Sequence, residues 1–251
     1  MMSDTLKDKM AYRLTDYRDK IQFYIDLYSY CSNIKLTDWQ SQCPPVAIPK
    51  VIHYCWFGCG EYSSLIKKCM ATWQRVLPDY EFVLWNEDNF PIEKYPFARE
   101  AYDKKKYAFT SDVARLAVLY EHGGIYLDTD IEMLKSFDPF LSHRAFTGFE
   151  TYGNVRARIQ SGVMGAVPHH PWIELLLRWY EGKHFSGYAT FMPNTRIISK
   201  IIGRYYRVKL DGQPMVLDGD VHIYPAAYFC PGKQASEQSC CIHHFIGSWF
   251  D

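Results

Sequence analysis

Two carboxylates, two residues apart, close an apolar run in Gly123-Gly124-Ile125-Tyr126-Leu127-Asp128-Thr129-Asp130. Residues 125–127 read as a short buried strand, so Asp128 and Asp130 stand at its carboxyl end, where α/β sheets bind ligands. Residues i and i+2 of a strand face the same way. The pair can therefore address one hard cation. Oxygen ligands suit Mg²⁺ or Mn²⁺, which typically bridge one or two carboxylates and a substrate diphosphate. A cation there neutralises charge building on a diphosphate leaving group. An Asp-x-Asp by itself also occurs in solvated turns; the helix and the Gly-Gly before it make this one more specific.

That helix opens with Ser111-Asp112-Val113-Ala114-Arg115. Asp112 and Arg115 lie at i and i+3, on one face. Spacing alone favours a local ion pair worth a few tenths of a kcal/mol. The alternative is a carboxylate and a guanidinium that hold sugar hydroxyls. The chain end supplies a third cluster, His243-His244-Phe245-Ile246-Gly247-Ser248-Trp249. Imidazole can ligate Mn²⁺, and an indole N–H can donate to a phosphate oxygen.

Strands alternating with helices must position these groups, which argues an α/β layer fold. Strands are expected at 51–57, 80–85, 125–127, 145–149, 163–167 and 221–224. Helices are expected at 63–77, 97–105, 110–122, 171–180 and 195–206. Thr110 or Ser111 is the expected N-cap of the helix before the Asp-x-Asp, and Gly123-Gly124 its C-terminal stop. Residues 4–30 read as one further helix. Leu6, Met10, Leu14, Tyr17, Ile21, Ile25 and Tyr28 recur at spacings of three and four and form its expected buried face. Acids and bases balance on the opposite face, unlike the basic amphipathic helix of an anionic membrane surface. Gln42-Cys43-Pro44-Pro45 breaks the chain, so 1–45 is read as an N-terminal helical extension and 46–251 as the domain proper.

The chain has 251 residues, enough for a full core without staples, and 48% of them are hydrophobic. With 28 Lys+Arg and 28 Asp+Glu the formal charge is zero, which argues against nucleic-acid binding. Aromatics reach 17%, with 20 Tyr and 7 Trp, as suits stacking on sugars and bases. The eight cysteines form no CxxC pair, so free thiols in a reducing compartment are expected. No stretch approaches the roughly 18–20 apolar residues of a membrane span, and the start has no signal-peptide core. A cytoplasmic protein is expected, with peripheral association at the inner face of the membrane left open.

The run from Ile48 to Trp249 resembles the sugar-nucleotide glycosyltransferases of family 32. These include initiating α-mannosyltransferases and bacterial polysaccharide enzymes, and the catalytic domain of large clostridial glucosylating toxins is similar. The resemblance rests on Ile48-Pro49-Lys50-Val51-Ile52-His53 with Trp56-Phe57-Gly58; on Trp73, Pro78 and Trp85; on Ser111-Asp112-x-x-Arg115; on Tyr120-x-x-Gly123 through Asp130; and on the closing His-His with Ser248-Trp249. It implies a GT-A fold, a Rossmann-like α/β/α sandwich with a mixed central sheet. It also implies Mn²⁺ or Mg²⁺ as cofactor and retention of anomeric configuration.

By the same resemblance, Trp56 stacks on the nucleotide base, and Asp112 and Arg115 hold donor-sugar hydroxyls. Asp128 lies near the ribose and sugar, with Tyr126 and Thr129 in the same nucleotide-sugar set. Asp130 is the direct metal ligand beside Asp128, and His244 the third ligand, with His243 as the alternative. Ser248 and Trp249 contact the diphosphate. The implied activity is hexosyl transfer from a UDP- or GDP-sugar to a glycan or lipid-linked oligosaccharide, in synthesis of a bacterial capsule, O-antigen or exopolysaccharide. A toxin-like protein glycosyltransferase and a non-catalytic nucleotide-sugar binding module are the alternatives; a metal-dependent phosphohydrolase lacks ligands for a second metal. One departure from the family stands at Thr190-Phe191-Met192-Pro193-Asn194-Thr195, where many relatives carry Gly-Pro. Asn154, Arg156, Arg158 and Gln160 are expected on the acceptor side. Asp112 and Glu150 are the candidate carboxylates near the anomeric carbon.

Overall fold

A computed structural model describes residues 4–36, 47–150, 157–186, 192–232 and 235–246, with side-chain surroundings from residue 18 onward. Its strands are β1 (Val51–Cys55), β2 (Glu81–Trp85), β3 (Gly124–Leu127), β4 (Ile131–Met133), β5 (Ala145–Glu150), β6 (Arg158–Ile159), β7 (Val163–Ala166), β8 (Met215–Leu217), β9 (Val221–Tyr224) and β10 (Cys241–His243). Its α-helices are α1 (Asp4–Asn33), α2 (Ser64–Val76), α3 (Pro96–Asp103), α4 (Tyr107–His122), α5 (Pro171–Leu177), α6 (Asn194–Tyr205) and α7 (Ala226–Phe229).

The main sheet runs β2-β1-β3-β7-β5-β9-β8, with β6 beside β5. β1 is parallel to β2 and β3, and β5 to β9, while β7 runs antiparallel between β3 and β5. Strand alternation divides the apolar residues between two cores. Ile125, Leu127, Phe146 and Val163 enter one, with Trp73 of α2, Phe137 and Phe229. Tyr126, Ala145, Met164 and Ala166 enter the other, with residues of α3, α4, α5 and α6. The result is the α/β sandwich with a mixed sheet that the resemblance implied. A second, two-stranded antiparallel sheet pairs β4 with β10. Helix α2 anchors it: Trp73 Nε1 donates to the Ile131 carbonyl (2.6 Å), and Thr72 Oγ1 accepts from the Met133 N–H (2.8 Å).

Helix α4 starts three residues before the expected cap. Lys106 is its N-cap and makes no side-chain cap bond. Thr110 Oγ1 is spent on the Ala98 carbonyl and Ser111 Oγ on that of Tyr107. Its stop is as expected, with Gly123 at φ 65° and Gly124 at φ 89°. A Cβ on Gly124 would sit 2.7 Å from the Val51 carbonyl oxygen, so the β1–β3 approach requires glycine there.

The buried face of α1 is not the expected one. Ile21, Ile25 and Tyr28 are 44%, 55% and 60% exposed, whereas Phe23 and Leu27 are buried. The helix carries apolar residues on two sides, and the side with the aromatic partners wins. Phe23 and Tyr30 pack edge-on against Trp179, and Tyr30 Oη bonds the Leu175 carbonyl. Leu6, Met10, Leu14 and Tyr17 lie outside the described side chains. Cys43 is also outside the description; the seven cysteines within it are free thiols. Among the described residues no helix is long and apolar enough to cross a membrane.

Candidate active site

Leu127 ends β3, and the chain turns at once. The Asp128 N–H donates to the Gly162 carbonyl (2.9 Å), and the Ile131 N–H to the Asp128 carbonyl (3.1 Å). This tight turn carries both carboxylates from β3 into β4. Antiparallel pairing then sets His243 opposite Ile131. His243 Nε2 reaches Asp130 Oδ1 at 3.3 Å and Asp128 Oδ2 at 4.0 Å. The other Asp130 oxygen, Oδ2, accepts the Ile246 N–H (2.9 Å).

The imidazole that joins the two carboxylates is therefore His243, the alternative, and not His244, the expected third ligand. Neighbouring residues at a strand end point opposite ways. His244 Nε2 turns to Glu132 Oε2, 2.9 Å away, and only its backbone N–H serves the site, donating to the Asp130 carbonyl.

Asp128, Asp130 and His243 each offer a ligand atom, all within 4.8 Å of one another. Two features suit them to a divalent cation. His243 Nδ1 is buried and, among the described residues, makes no hydrogen bond. A Cβ on Gly162 would come within 2.8 Å of Asp128 Oδ2 and 3.0 Å of His243 Cε1, so the glycine keeps this pocket open. Burial works against charge at both Asp130 and His243, but their mutual attraction and the Ile246 N–H outweigh it. The Asp130 carboxyl is held below its ordinary range, and His243 is raised to about 10. One carboxylate on one imidazolium is the arrangement that a cation would displace.

Behind this cluster runs a buried polar chain. Arg115 Nη2 lies 3.0 Å from Asp112 Oδ1, and Nη1 lies 3.0 Å from Asp128 Oδ1 and donates to the Ser161 carbonyl (2.8 Å). Tyr126 Oη donates to the same Asp128 oxygen (3.0 Å), and the guanidinium lies 4.5 Å from the Tyr126 ring centre. The i, i+3 ion pair read from spacing is thus present, and it is also part of the site. Burial resists charging Arg115, yet Asp128, Tyr126 and Asp112 hold it protonated. Burial pushes Asp112 up to about 7. Asn194 adjoins Asp112 and opposes that rise, and its Oδ1 accepts from Tyr180 Oη (3.1 Å).

The remaining expected residues are placed as follows. Trp56 follows β1, at the same sheet edge as Asp128; its Nε1 donates to the Gly60 carbonyl (2.6 Å) and its ring packs on Tyr62. Thr129 is half-buried between the carboxylates. Glu150 ends β5, buried, opposite Arg158 of β6; burial raises its carboxyl. Gln160 is not on an acceptor surface: it is fully buried and both ends of its amide bond Val163, clamping the turn into β7. Ser248, Trp249, Asn154, Arg156, Thr190 and Phe191 lie outside the described residues. Ser161, Gly162, Tyr180 and Asn194 were not singled out from sequence. Only Asn194 carried a signal, standing in the loop that departs from the family.

Residues 63–147, which hold Asp112, Arg115 and both carboxylates, match the model of the glycosyltransferase sugar-binding region containing DXD motif. An uncharacterized glycosyltransferase of Acanthamoeba polyphaga mimivirus is 33% identical over 200 residues, covering 77% of either chain. The chain belongs to the DXD glycosyltransferases. Several other similar proteins are fungal. Inositol phosphoceramide mannosyltransferase 2 of Schizosaccharomyces pombe is 30% identical over 182 residues, covering 68% of this chain and 50% of its own. Mannosyl phosphorylinositol ceramide synthase SUR1 of Saccharomyces cerevisiae is 28% identical over 194 residues, covering 74% of this chain and 48% of its own. The chain spans about half the length of those fungal relatives. Among solved structures, the PaToxG glycosyltransferase aligns with a TM-score of 0.49 at 17% identity, covering 78% of this chain and 80% of that one.

Proposed function

We propose that this glycosyltransferase moves a hexosyl unit from a nucleoside-diphosphate sugar to a hydroxyl of a glycan or lipid-linked acceptor, with retention of configuration. The observation that carries the reading is the meeting of Asp128, Asp130 and His243 at the end of β3, backed by the Arg115–Asp112 pair. A divalent cation held by those three residues, Mn²⁺ or Mg²⁺, would supply charge neutralisation for a diphosphate.

The protein's own groups do the positioning. Arg115 and Tyr126 both engage Asp128 Oδ1, which fixes the carboxylate and leaves Oδ2 toward His243. Asp112 sits at the rim of this chain with 13% of its side chain exposed. With its pKa near 7 it can donate as well as accept toward a sugar hydroxyl. Glu150 supplies a second buried carboxyl near His243 and Asp128. In the proposed step the bond from the anomeric carbon to the diphosphate oxygen breaks, and a bond to the acceptor oxygen forms on the same face. The acceptor proton passes to the leaving diphosphate, so no side-chain general base is required.

The names of the fungal relatives support mannose as the donor sugar and a lipid-borne acceptor. Galactose, glucose and N-acetylhexosamine from UDP-sugars are the other donors in the proposal. Cytoplasmic synthesis of a surface polysaccharide on a lipid carrier is the proposed setting. The test is a transfer assay pairing GDP-mannose, UDP-glucose, UDP-galactose and UDP-N-acetylhexosamines with glycan and glycolipid acceptors. Product from one donor supports the reading. Tight nucleotide-sugar binding without transfer to any acceptor would oppose it and favour a binding module.

A further inference from the structure

At the opposite rim of the sheet a second cluster of ligating side chains comes together. β5 and β9 run parallel to each other and to β3, so the edge where they begin is opposite the edge that carries Asp128. His143 lies two residues before β5. Asp220 lies one residue before β9, and His222 is the second residue of β9. The register pairs Ala145 with Val221 and Phe146 with His222. That pairing stacks the His143 and His222 rings at 3.7 Å between centroids, 15° from parallel. Nothing in the transfer chemistry uses these residues.

We infer that His143, Asp220 and His222 form a second, independent binding site for a borderline divalent cation, with Zn²⁺ or Ni²⁺ as the chemical class. Their three ligand atoms lie within 4.8 Å of one another. Two imidazoles and one carboxylate suit borderline metals, whereas the Asp128–Asp130–His243 set, with two carboxylates and one imidazole, suits harder ions.

Two of the three are also oriented from behind, as metal ligands usually are. Asp220 Oδ2 accepts the Arg144 N–H (2.9 Å), which leaves Oδ1 pointing at His222 Nε2, 2.7 Å away. Tyr224 Oη bonds His143 Nε2 at 2.7 Å. Asp220 adopts φ 61° directly after Gly219 at φ 88°. Aspartate tolerates the left-handed region better than most residues, so the turn can hold this carboxylate on the two rings. Access is open as well: Asp220 is exposed, both histidines are partly so, and His222 and Tyr224 line a surface recess of about 260 Å³. A cation there ties the approach to β5 to the start of β9, cross-linking two paired strands of which β5 ends at Glu150.

Zinc titration by calorimetry tests this in the Asp130→Ala background, which disables the first cluster. One equivalent should bind, and saturating Zn²⁺ should raise Tm by several degrees. Both effects should vanish in Asp130→Ala/His222→Gln and in Asp130→Ala/His143→Gln. Tyr224→Phe, which removes the hydroxyl from His143, should weaken binding by about tenfold. Metal-free melting curves of each variant check that the fold survives. His222→Gln alone should leave sugar transfer unchanged. No saturable Zn²⁺ binding in Asp130→Ala would overturn the proposal, as would binding that persists unchanged in the two histidine variants.

Discussion

His243 Nε2 stands 3.3 Å from Asp130 Oδ1 across a pair of three-residue strands. The two residues are more than a hundred positions apart, and the β4–β10 register is what joins them. Helix α2 fixes β4 through Trp73 and Thr72, so the cluster is held from the core outward.

This placement separates the two neighbouring histidines. His243→Gln should lower metal affinity and transfer by about a hundredfold or more, since a cluster ligand is lost. His244→Gln loses only a partly exposed contact with Glu132, a type worth about 0–1 kcal/mol, and should keep most activity. Steady-state transfer and metal titration of the two variants decide it; the reverse order would move the site to His244.

Arg115 holds two carboxylates in a buried setting, with 6% of its side chain exposed. Removing one partner of a buried pair typically costs about 3–5 kcal/mol. Arg115→Met should therefore lose stability of that order as well as activity. Denaturant unfolding measures it, and a loss below about 1 kcal/mol would show the pair to be well solvated.

Gly162 faces the cluster with no side chain. Gly162→Ala puts a methyl within 3.2 Å of His243 Nδ1 and closer still to Asp128 Oδ2. Metal affinity should fall by about tenfold or more, the size expected for disturbed ligands, with the fold retained. Unchanged metal affinity would mean that Asp128 and His243 can shift freely.

Two buried histidines make stability depend on pH. His53 Nε2–H donates to the Gly123 carbonyl (3.0 Å), while Nδ1 accepts from Trp85 Nε1 (3.0 Å). His170 repeats the pattern with the Gly219 carbonyl and the Trp172 N–H. Each ring needs a neutral Nδ1, and burial pushes both down to about 4 from 6.5. Between pH 6.5 and 4 the unfolded chain takes up protons that the folded one refuses. Stability is therefore full above pH 6.5 and falls as pH drops toward 4, by up to about 3 kcal/mol per histidine. Urea unfolding across this range should show the slope, reduced in His53→Gln and in His170→Gln. A flat profile would contradict the neutral assignment.

Much of this was readable in the residues. The apolar run before Asp128, the Gly123-Gly124 stop and the 3.6-residue periodicity of α2, α4 and α6 are strong local signals. The β4–β10 sheet was not readable, because three-residue strands show no periodicity, and strand parity there decides between His243 and His244. The face of α1 was misread because Phe23 and Leu27 compete with Ile21 and Ile25, and the outcome depends on Trp179, some 150 residues away. The polar type of Gln160 suggested a ligand contact, but a buried amide that satisfies one backbone turn has the same sequence signature.

The most direct test is nucleotide release from the accepted donor, measured with Mn²⁺, with Mg²⁺ and with EDTA, for the unaltered protein and for Asp130→Ala. The account predicts release that requires a divalent cation and falls by about a hundredfold or more in the variant. Comparable release in EDTA, or by Asp130→Ala at saturating metal, would contradict a cation centre at Asp128, Asp130 and His243.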